Sequence, residues 1–224
     1  MSIIINGFGR IGRQLFRIAF EQELYIDTIN DPYLSGENAR LLTQYDSTYG
    51  KFRYKISLDG QYIKIENKKV LISNETDIFK ISNLKKAKII VDSSGVKRDK
   101  QYYQRLFREN PKLNYIIVTH DVDYADKRVV FGVTKLKPGK LKGKIITTSS
   151  CDCVAIAPLL ESLKSKKIKS CWIASLHSYV STQQLLDNTP TSHETVHSPL
   201  MIRSSINSLI PKKTSIADNI MKTL

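Results

Sequence analysis

The chain has 224 residues, and 35 Lys and Arg against 21 Asp and Glu give it a net charge of +14. With 41% apolar and 25% charged residues it is neither a disordered polymer nor a low-complexity one. No run approaches the roughly 20 apolar residues of a membrane-spanning helix. At about 150 residues per domain, the length fits one large domain, or one domain and part of a second.

The lysine pairs (Lys68–Lys69, Lys85–Lys86, Lys166–Lys167) are scattered. They form no stripe and stand beside no aromatic pattern, so they read as a solvated surface rather than a nucleic-acid site. The chain has three cysteines. Cys151 and Cys153 are too close for ordinary disulfide geometry, which points to a reducing compartment. Met1–Asn6 has no basic segment and only a short apolar run, unlike a signal peptide, so a cytoplasmic protein is expected.

In chain order, Ile3–Ile5 is a β-branched run of the kind found in a strand buried on both faces. Gly7-Phe8-Gly9-Arg10-Ile11-Gly12 follows it directly. Leu15, Phe16, Ile18, Ala19 and Phe20 then recur at helical spacing. Tyr25–Ile29 predicts a second strand, closed by Asn30-Asp31-Pro32. Residues 35–45 read as a helix. Phe52–Ser57, Gln61–Glu66 and Val70–Ser73 read as short strands, with Asp59-Gly60 as a hairpin turn. Lys88–Val91 predicts another buried strand, followed by a helix from Arg98 to Glu109. Tyr115–Thr119 and Val129–Val133 predict two more strands. After Ile145-Ile146, an amphipathic helix is expected to about Lys164, with Pro158 bending it or setting its first turn. Cys171–Ser175 predicts a strand ending near His177, Thr189–His197 a polar loop, and Ile216–Leu224 a last helix.

The glycines at 7, 9 and 12 form G-x-G-x-x-G between a strand and a helix. The first permits the tight turn, the second lets a pyrophosphate approach the backbone, and the third lets helix and strand pack closely. The helix N-terminus offers free N–H groups to phosphates. Asp31, at the end of the second strand, can accept hydrogen bonds from ribose hydroxyls and would repel a 2′-phosphate, favouring NAD over NADP. The plain alternatives are a tight βα turn and a turn residue before Pro32.

Thr147-Thr148-Ser149-Ser150 is rich in N-capping residues, which places Cys151 in the first turn of a helix, where the thiolate is favoured. His177 could stand beside it, giving a nucleophile and a proton acceptor. A buried small side chain at 151 and a hydrogen-bonded strand-end histidine at 177 remain the alternatives. A Cys-x-Cys metal centre is not expected, because no second ligand pair stands at suitable spacing.

Taken together, Asn6–Arg13, Asn30-Asp31-Pro32, Tyr45–Phe52, Asp92-Ser93-Ser94-Gly95-Val96, Ser149-Ser150-Cys151 with Ala157-Pro158, and His177-Ser178-Tyr179 resemble the phosphorylating glyceraldehyde-3-phosphate dehydrogenase family. Gln183–Asp187, Arg203-Ser204-Ser205 and Ile210-Pro211 also resemble its erythrose-4-phosphate dehydrogenase branch. The resemblance implies an α/β fold: a Rossmann-type doubly wound NAD-binding domain (residues 1–148) followed by an incomplete α+β catalytic domain (149–224). It implies NAD as cofactor, with Gly7, Gly9, Arg10, Ile11, Gly12, Asp31, Ser94, Gly95 and Thr119 binding it. It implies Cys151 and His177 as catalytic residues, and Ser150, Asp152, Arg203 and Thr214 at the substrate.

The implied reaction is glycolysis-type oxidation of glyceraldehyde 3-phosphate through a cysteine thiohemiacetal and thioester. An acyl phosphate is released by inorganic phosphate, or an acid by water. A homo-oligomer is the implied assembly. The alternative readings are an erythrose-4-phosphate dehydrogenase-like activity and a non-catalytic NAD-binding remnant. Three departures bear on that choice. Asp152 and Val180 stand where the family places phosphate-contacting threonines, and Thr119-His120-Asp121 is unusual near the nicotinamide side. The family is also longer, so the apolar face of residues 171–176 is expected to lie open.

Overall fold

The computed structural model describes residues 2–136, 141–180, 183–189, 202–211 and 214–224. The strands are β1 (Ile3–Asn6), β2 (Ile26–Asn30), β3 (Tyr45–Asp46), β4 (Gly50–Lys51), β5 (Ile56–Asp59), β6 (Tyr62–Ile65), β7 (Lys68–Ser73), β8 (Ile89–Asp92), β9 (Tyr115–Val118), β10 (Lys127–Arg128) and β11 (Lys144–Thr147). The helices are α1 (Arg10–Glu21), α2 (Gly36–Gln44), α3 (Lys100–Glu109), α4 (Cys151–Ser162) and α5 (Ile216–Met221).

Successive strand side chains point to opposite faces, so a run of isoleucines is buried only where both faces are covered. In β1, Ile3 and Ile5 pack with Phe16, Ala19 and Phe20 of α1. Ile4 packs on the other face with Tyr103 and Leu106 of α3. The main sheet runs β10-β11-β9-β8-β1-β2-β7-β6-β5. It is parallel from β10 through β7, and antiparallel across β7-β6-β5. The Asp59-Gly60 turn closes the β5–β6 hairpin, with Gly60 at φ +58°. This is a Rossmann-type doubly wound arrangement, and its strand order reverses beside β1.

Three expected strands differ from those observed. Residues 52–55 are not sheet, because the Gln44 side chain braces them. Its Nε2 donates to the Phe52 and Tyr54 carbonyls at 2.9 and 3.0 Å, and its Oε1 accepts the Ile56 N–H at 2.9 Å. One amide side chain thus satisfies the backbone groups that a partner strand would take. Val129–Val133 turns instead of extending. Thr134 N–H donates to the Val130 carbonyl at 2.9 Å, Gly132 sits at φ +81°, and the ladder ends with Lys127–Arg128 in β10. Cys171–Ser175 is not a strand, since no described segment pairs with it and strand structure is shared structure. The expected loop at Thr189–His197 lies outside the described residues except for Thr189.

A third cluster joins Cys153 and Ala157 of α4 to Ile216 and Ile220 of α5, with Val130 beneath. Pro158 is the eighth residue of α4, so it does not set the first turn. Among the described residues, no helix is long and apolar enough to cross a membrane.

Candidate active site

The strand-order reversal leaves a crevice at the carboxyl ends of β1, β2 and β8, the place where parallel sheets receive ligands. Gly7 turns there at φ +93°, its N–H donating to the Asn30 carbonyl at 2.7 Å. A Cβ on Gly7 would stand 2.4 Å from the Ser94 backbone, and one on Gly12 would stand 2.1 Å from the Gly7 carbonyl oxygen. These two glycines are demanded by the chain's own packing. Gly9 differs: nothing lies within 4 Å of its Cβ position. It caps α1 without a side chain, and no acid occupies the first turn. That space leaves room for a phosphate to approach the amide groups of the first turn of α1. Arg10 and Ile11 flank it, both exposed.

Asp31 sits just beyond β2. Its Oδ2 accepts the Phe8 N–H at 2.9 Å and its Oδ1 the Tyr33 N–H at 3.2 Å. A carboxylate has about four acceptor sites, so roughly two remain for ribose hydroxyls. Beneath the crevice runs a buried polar ladder that motif spacing does not reveal. Asn30 Nδ2 donates to Asn6 Oδ1 at 2.8 Å, Asn6 Nδ2 to Asp92 Oδ1 at 3.3 Å, and Tyr103 Oη to Asp92 Oδ2 at 2.8 Å. Burial, reinforced by Asp92, pushes the Tyr103 hydroxyl far above its ordinary range. A weaker signal was present in the sequence: Asn6, Asn30 and Asp92 each end an apolar strand.

Ser94 donates its N–H and hydroxyl to Asp92 Oδ1 at 3.1 and 2.6 Å, and Gly95 follows at φ +73°. The Thr119 hydroxyl donates to the Asp92 carbonyl at 3.2 Å. Just past β9 and β11 lie buried polar atoms without partners among the described residues: both ring nitrogens of His120 and the hydroxyl of Ser149. The Thr147 hydroxyl stands between them, donating to the His120 carbonyl at 2.6 Å and accepting the Ser149 N–H at 3.0 Å. Among the described residues, the open space at Gly9, the spare acceptors on Asp31 and these orphaned atoms fit a bound dinucleotide.

Ser149 is strained as well as buried, with φ +68° in a region that non-glycine residues avoid. It delivers the chain into α4. Ser150 caps that helix, accepting the Cys153 N–H at 3.4 Å and the Asn219 amide at 3.1 Å. Cys151 is therefore the first helical residue and exposed, whereas Cys153 is buried. The role of small buried side chain belongs to Cys153, whose Sγ lies 3.4 Å from the Thr223 hydroxyl.

His177 reaches the same place from the chain after α4. The Cys151 Sγ, an Asp152 carboxylate oxygen and a His177 ring nitrogen all lie within 4.8 Å of one another. His177 Nε2 is 2.7 Å from Asp152 Oδ1, and the Ser175 hydroxyl donates to that oxygen at 2.7 Å. A carboxylate only accepts, so the proton belongs on Nε2 and the lone pair of the neutral ring is on Nδ1. Thr214 donates to Asp152 Oδ2 at 3.3 Å. Burial pushes the Asp152 carboxyl up, but the Ser175, His177 and Thr214 contacts together outweigh it and hold the group below the usual carboxylate range. Arg203 is elsewhere engaged, paired with Asp187 at 2.7 Å. Among the described residues no hydrogen bond or ion pair joins it to the cysteine cluster.

Fold and site define a dinucleotide-binding α/β protein with an exposed cysteine and a histidine side by side. Residues 1–100 match the family model described as glyceraldehyde 3-phosphate dehydrogenase, NAD binding domain, which makes NAD the cofactor of this lobe. The whole chain aligns at 32% identity with glyceraldehyde-3-phosphate dehydrogenase 1 of Kluyveromyces marxianus and at 30% with its namesake in Saccharomyces cerevisiae, covering 66% of each. It is 30% identical to glyceraldehyde-3-phosphate dehydrogenase 1 of Bacillus subtilis over 97% of this chain and 63% of that protein. The chain belongs to the glyceraldehyde-3-phosphate dehydrogenase family. It spans about two thirds of the length of these relatives, 66% for the first of them.

Proposed function

We propose that the chain supports NAD-dependent oxidation of a phosphorylated aldehyde, glyceraldehyde 3-phosphate in the first instance. Residues 1–148 hold the cofactor and residues 149–224 supply the thiol chemistry. The observation that carries this reading is the convergence of Cys151 and His177 within 4.8 Å at the N-terminus of α4. The Cys151 thiolate adds to the aldehyde carbon, forming a C–S bond as the C=O π bond breaks, and the oxygen takes a proton from water to become the hydroxyl of a thiohemiacetal. N–H groups of the first turn of α4 face the oxygen as charge develops on it. NAD, when bound, supplies the acceptor for the hydride that leaves this carbon. His177 takes the hydroxyl proton as the hydride leaves, and the carbon becomes a thioester.

Asp152 acts through His177 and through its charge. Its carboxylate steadies the imidazolium that forms. A fixed negative charge beside the thioester disfavours an incoming phosphate anion and leaves water the better acceptor. Water attack forms a C–O bond, breaks the C–S bond and returns the thiolate, with an acid as product. Assembly into a homo-oligomer belongs to the same proposal.

A non-catalytic NAD-binding role is the second reading. It is favoured by the lack of any described strand pairing with residues 168–180 and by the engagement of Arg203 with Asp187. Stopped-flow measurement of NADH from glyceraldehyde 3-phosphate separates the two. A burst matching the enzyme concentration is expected, lost in Cys151→Ser, and equal in size with or without added phosphate. No burst from the unsubstituted chain, with NAD binding intact, sinks the catalytic reading.

A further inference from the structure

A thiol, a carboxylate and an imidazole meet at the start of α4. Among the described residues Asp152 makes its single ion pair with His177, at 2.7 Å, and none with a lysine or arginine. We propose that Cys151, Asp152 and His177 form a binding site for a thiophilic divalent cation, zinc above all. Its occupation would shut off the thiol chemistry reversibly. That consequence rests on the catalytic reading above; the binding itself does not.

The donor set decides the class of ion. A thiolate, an imidazole and a carboxylate together suit zinc, whereas magnesium and calcium take oxygen donors alone. One thiolate and one carboxylate balance the double positive charge. The three ligand atoms lie within 4.8 Å of one another. Around zinc, with bonds of about 2.0–2.3 Å, such atoms stand roughly 3.3–3.7 Å apart. Forming the set therefore opens the 2.7 Å contact between His177 and Asp152 and needs modest side-chain rotation, for which His177 has the freedom, being half exposed on a segment without regular structure. On binding, the Cys151 thiol loses its proton to solvent and His177 presents a nitrogen that carries none. Three protein ligands in an exposed position leave the fourth site to water.

The surroundings support the ligands as outer-sphere partners do. Ser175 at 2.7 Å and Thr214 at 3.3 Å each hold one oxygen of Asp152, fixing the carboxylate's orientation. Cys153 is buried and takes no part in this donor set, so the site differs from the Cys-x-Cys arrangement considered from the sequence. The ligands come from Cys151, its neighbour Asp152, and a histidine 26 positions further along the chain than Cys151. That combination exists only after folding.

Cobalt(II) titration of the chain tests the site. One equivalent is expected to produce a thiolate-to-cobalt charge-transfer band with visible bands of tetrahedral intensity, and zinc is expected to bleach them. Cys151→Ser should abolish the charge-transfer band, while Cys171→Ser should leave it unchanged. Asp152→Asn should weaken binding by more than about 100-fold, the most that losing an outer-sphere partner alone costs, and Thr214→Val by about 10-fold. Circular dichroism and NADH fluorescence titration establish that each variant is folded. A band that survives Cys151→Ser, or an affinity unmoved by Asp152→Asn, overturns the proposal. If the cobalt bands form and no NADH burst is seen, the metal site stands and the catalytic reading fails. If a burst is seen without cobalt bands, the metal site fails and the catalytic reading stands.

Discussion

Between Ile3 and Thr147, helices roof the sheet's apolar strands. Ile4, Ile5, Ile29, Ile90 and Ile116 are all fully withdrawn from solvent. Between Ser149 and Leu224 the contrast is sharp. Cys153, Ala157, Ile216 and Ile220 are buried together, while Trp172 is 95% and Leu176 91% exposed. A strand–helix–strand unit closes its own core, because the crossover helix packs on the two strands it connects. The segment after α4 has a strand-like sequence and no such partner among the described residues. Yet it carries His177, so the cluster of Cys151, Asp152 and His177 draws on a poorly covered segment.

Core truncation should expose this difference most strongly. Ile90→Ala is expected to cost about 2–5 kcal/mol in urea unfolding, because the packed sheet cannot collapse into the hole. Ile220→Ala, in the small cluster on α5, should cost about 2 kcal/mol or less, since its neighbours are free to relax. Equal losses would mean that the two regions unfold as one unit.

Next in size is Tyr103→Phe. It removes a 2.8 Å hydrogen bond to a carboxylate that is 1% exposed, and a cost of about 1–3 kcal/mol is expected by the same measurement. NADH fluorescence titration of that variant should also weaken, if the polar ladder under β1 and β8 holds the crevice in shape.

Acid sensitivity compares the lobes through two carboxyls. Burial raises Asp46, but N–H groups of Tyr49 and Thr48, together with Arg13, outweigh it and leave the group below its ordinary range. Asp152 is depressed in the same way by Ser175, His177 and Thr214. A folded-state value below the unfolded one, about 3.9, gives stability that is present above that pH and lost as pH falls through the folded value. Asp46→Asn should flatten the fall in global stability below about pH 4. Asp152→Asn should leave that curve nearly unchanged, because its partners lie on the less covered side. A steeper effect at 152 than at 46 would reverse the assignment of stability to the sheet lobe.

The smallest effect is spectroscopic. Trp172 is the sole tryptophan. It should emit like free indole and be quenched freely by acrylamide. A blue-shifted, protected signal would mean that something covers this segment in solution.

Much of the first lobe was legible because its rules are local. A β-branched run, a glycine turn and an amphipathic helix each declare themselves within a dozen residues, and the capping run ahead of Cys151 did the same. Residues 52–55 and 129–133 misled for the opposite reason. The alternating aromatics Phe52 and Tyr54 and the valines of 129–133 are strand-like content, but the Gln44 side chain and the turn at Gly132 took the backbone groups first.

The sequence by itself determined that a tight glycine turn links β1 to α1 and that a cysteine opens a helix, since both depend on neighbours in the chain. Only the tertiary structure decided that Asp152 holds His177, that Cys153 rather than Cys151 is the buried thiol, and that Asn30, Asn6, Asp92 and Tyr103 share one ladder. Those contacts join residues up to 86 positions apart. Hydrogen bonds and charges act over a few ångströms of space, whatever the distance along the chain.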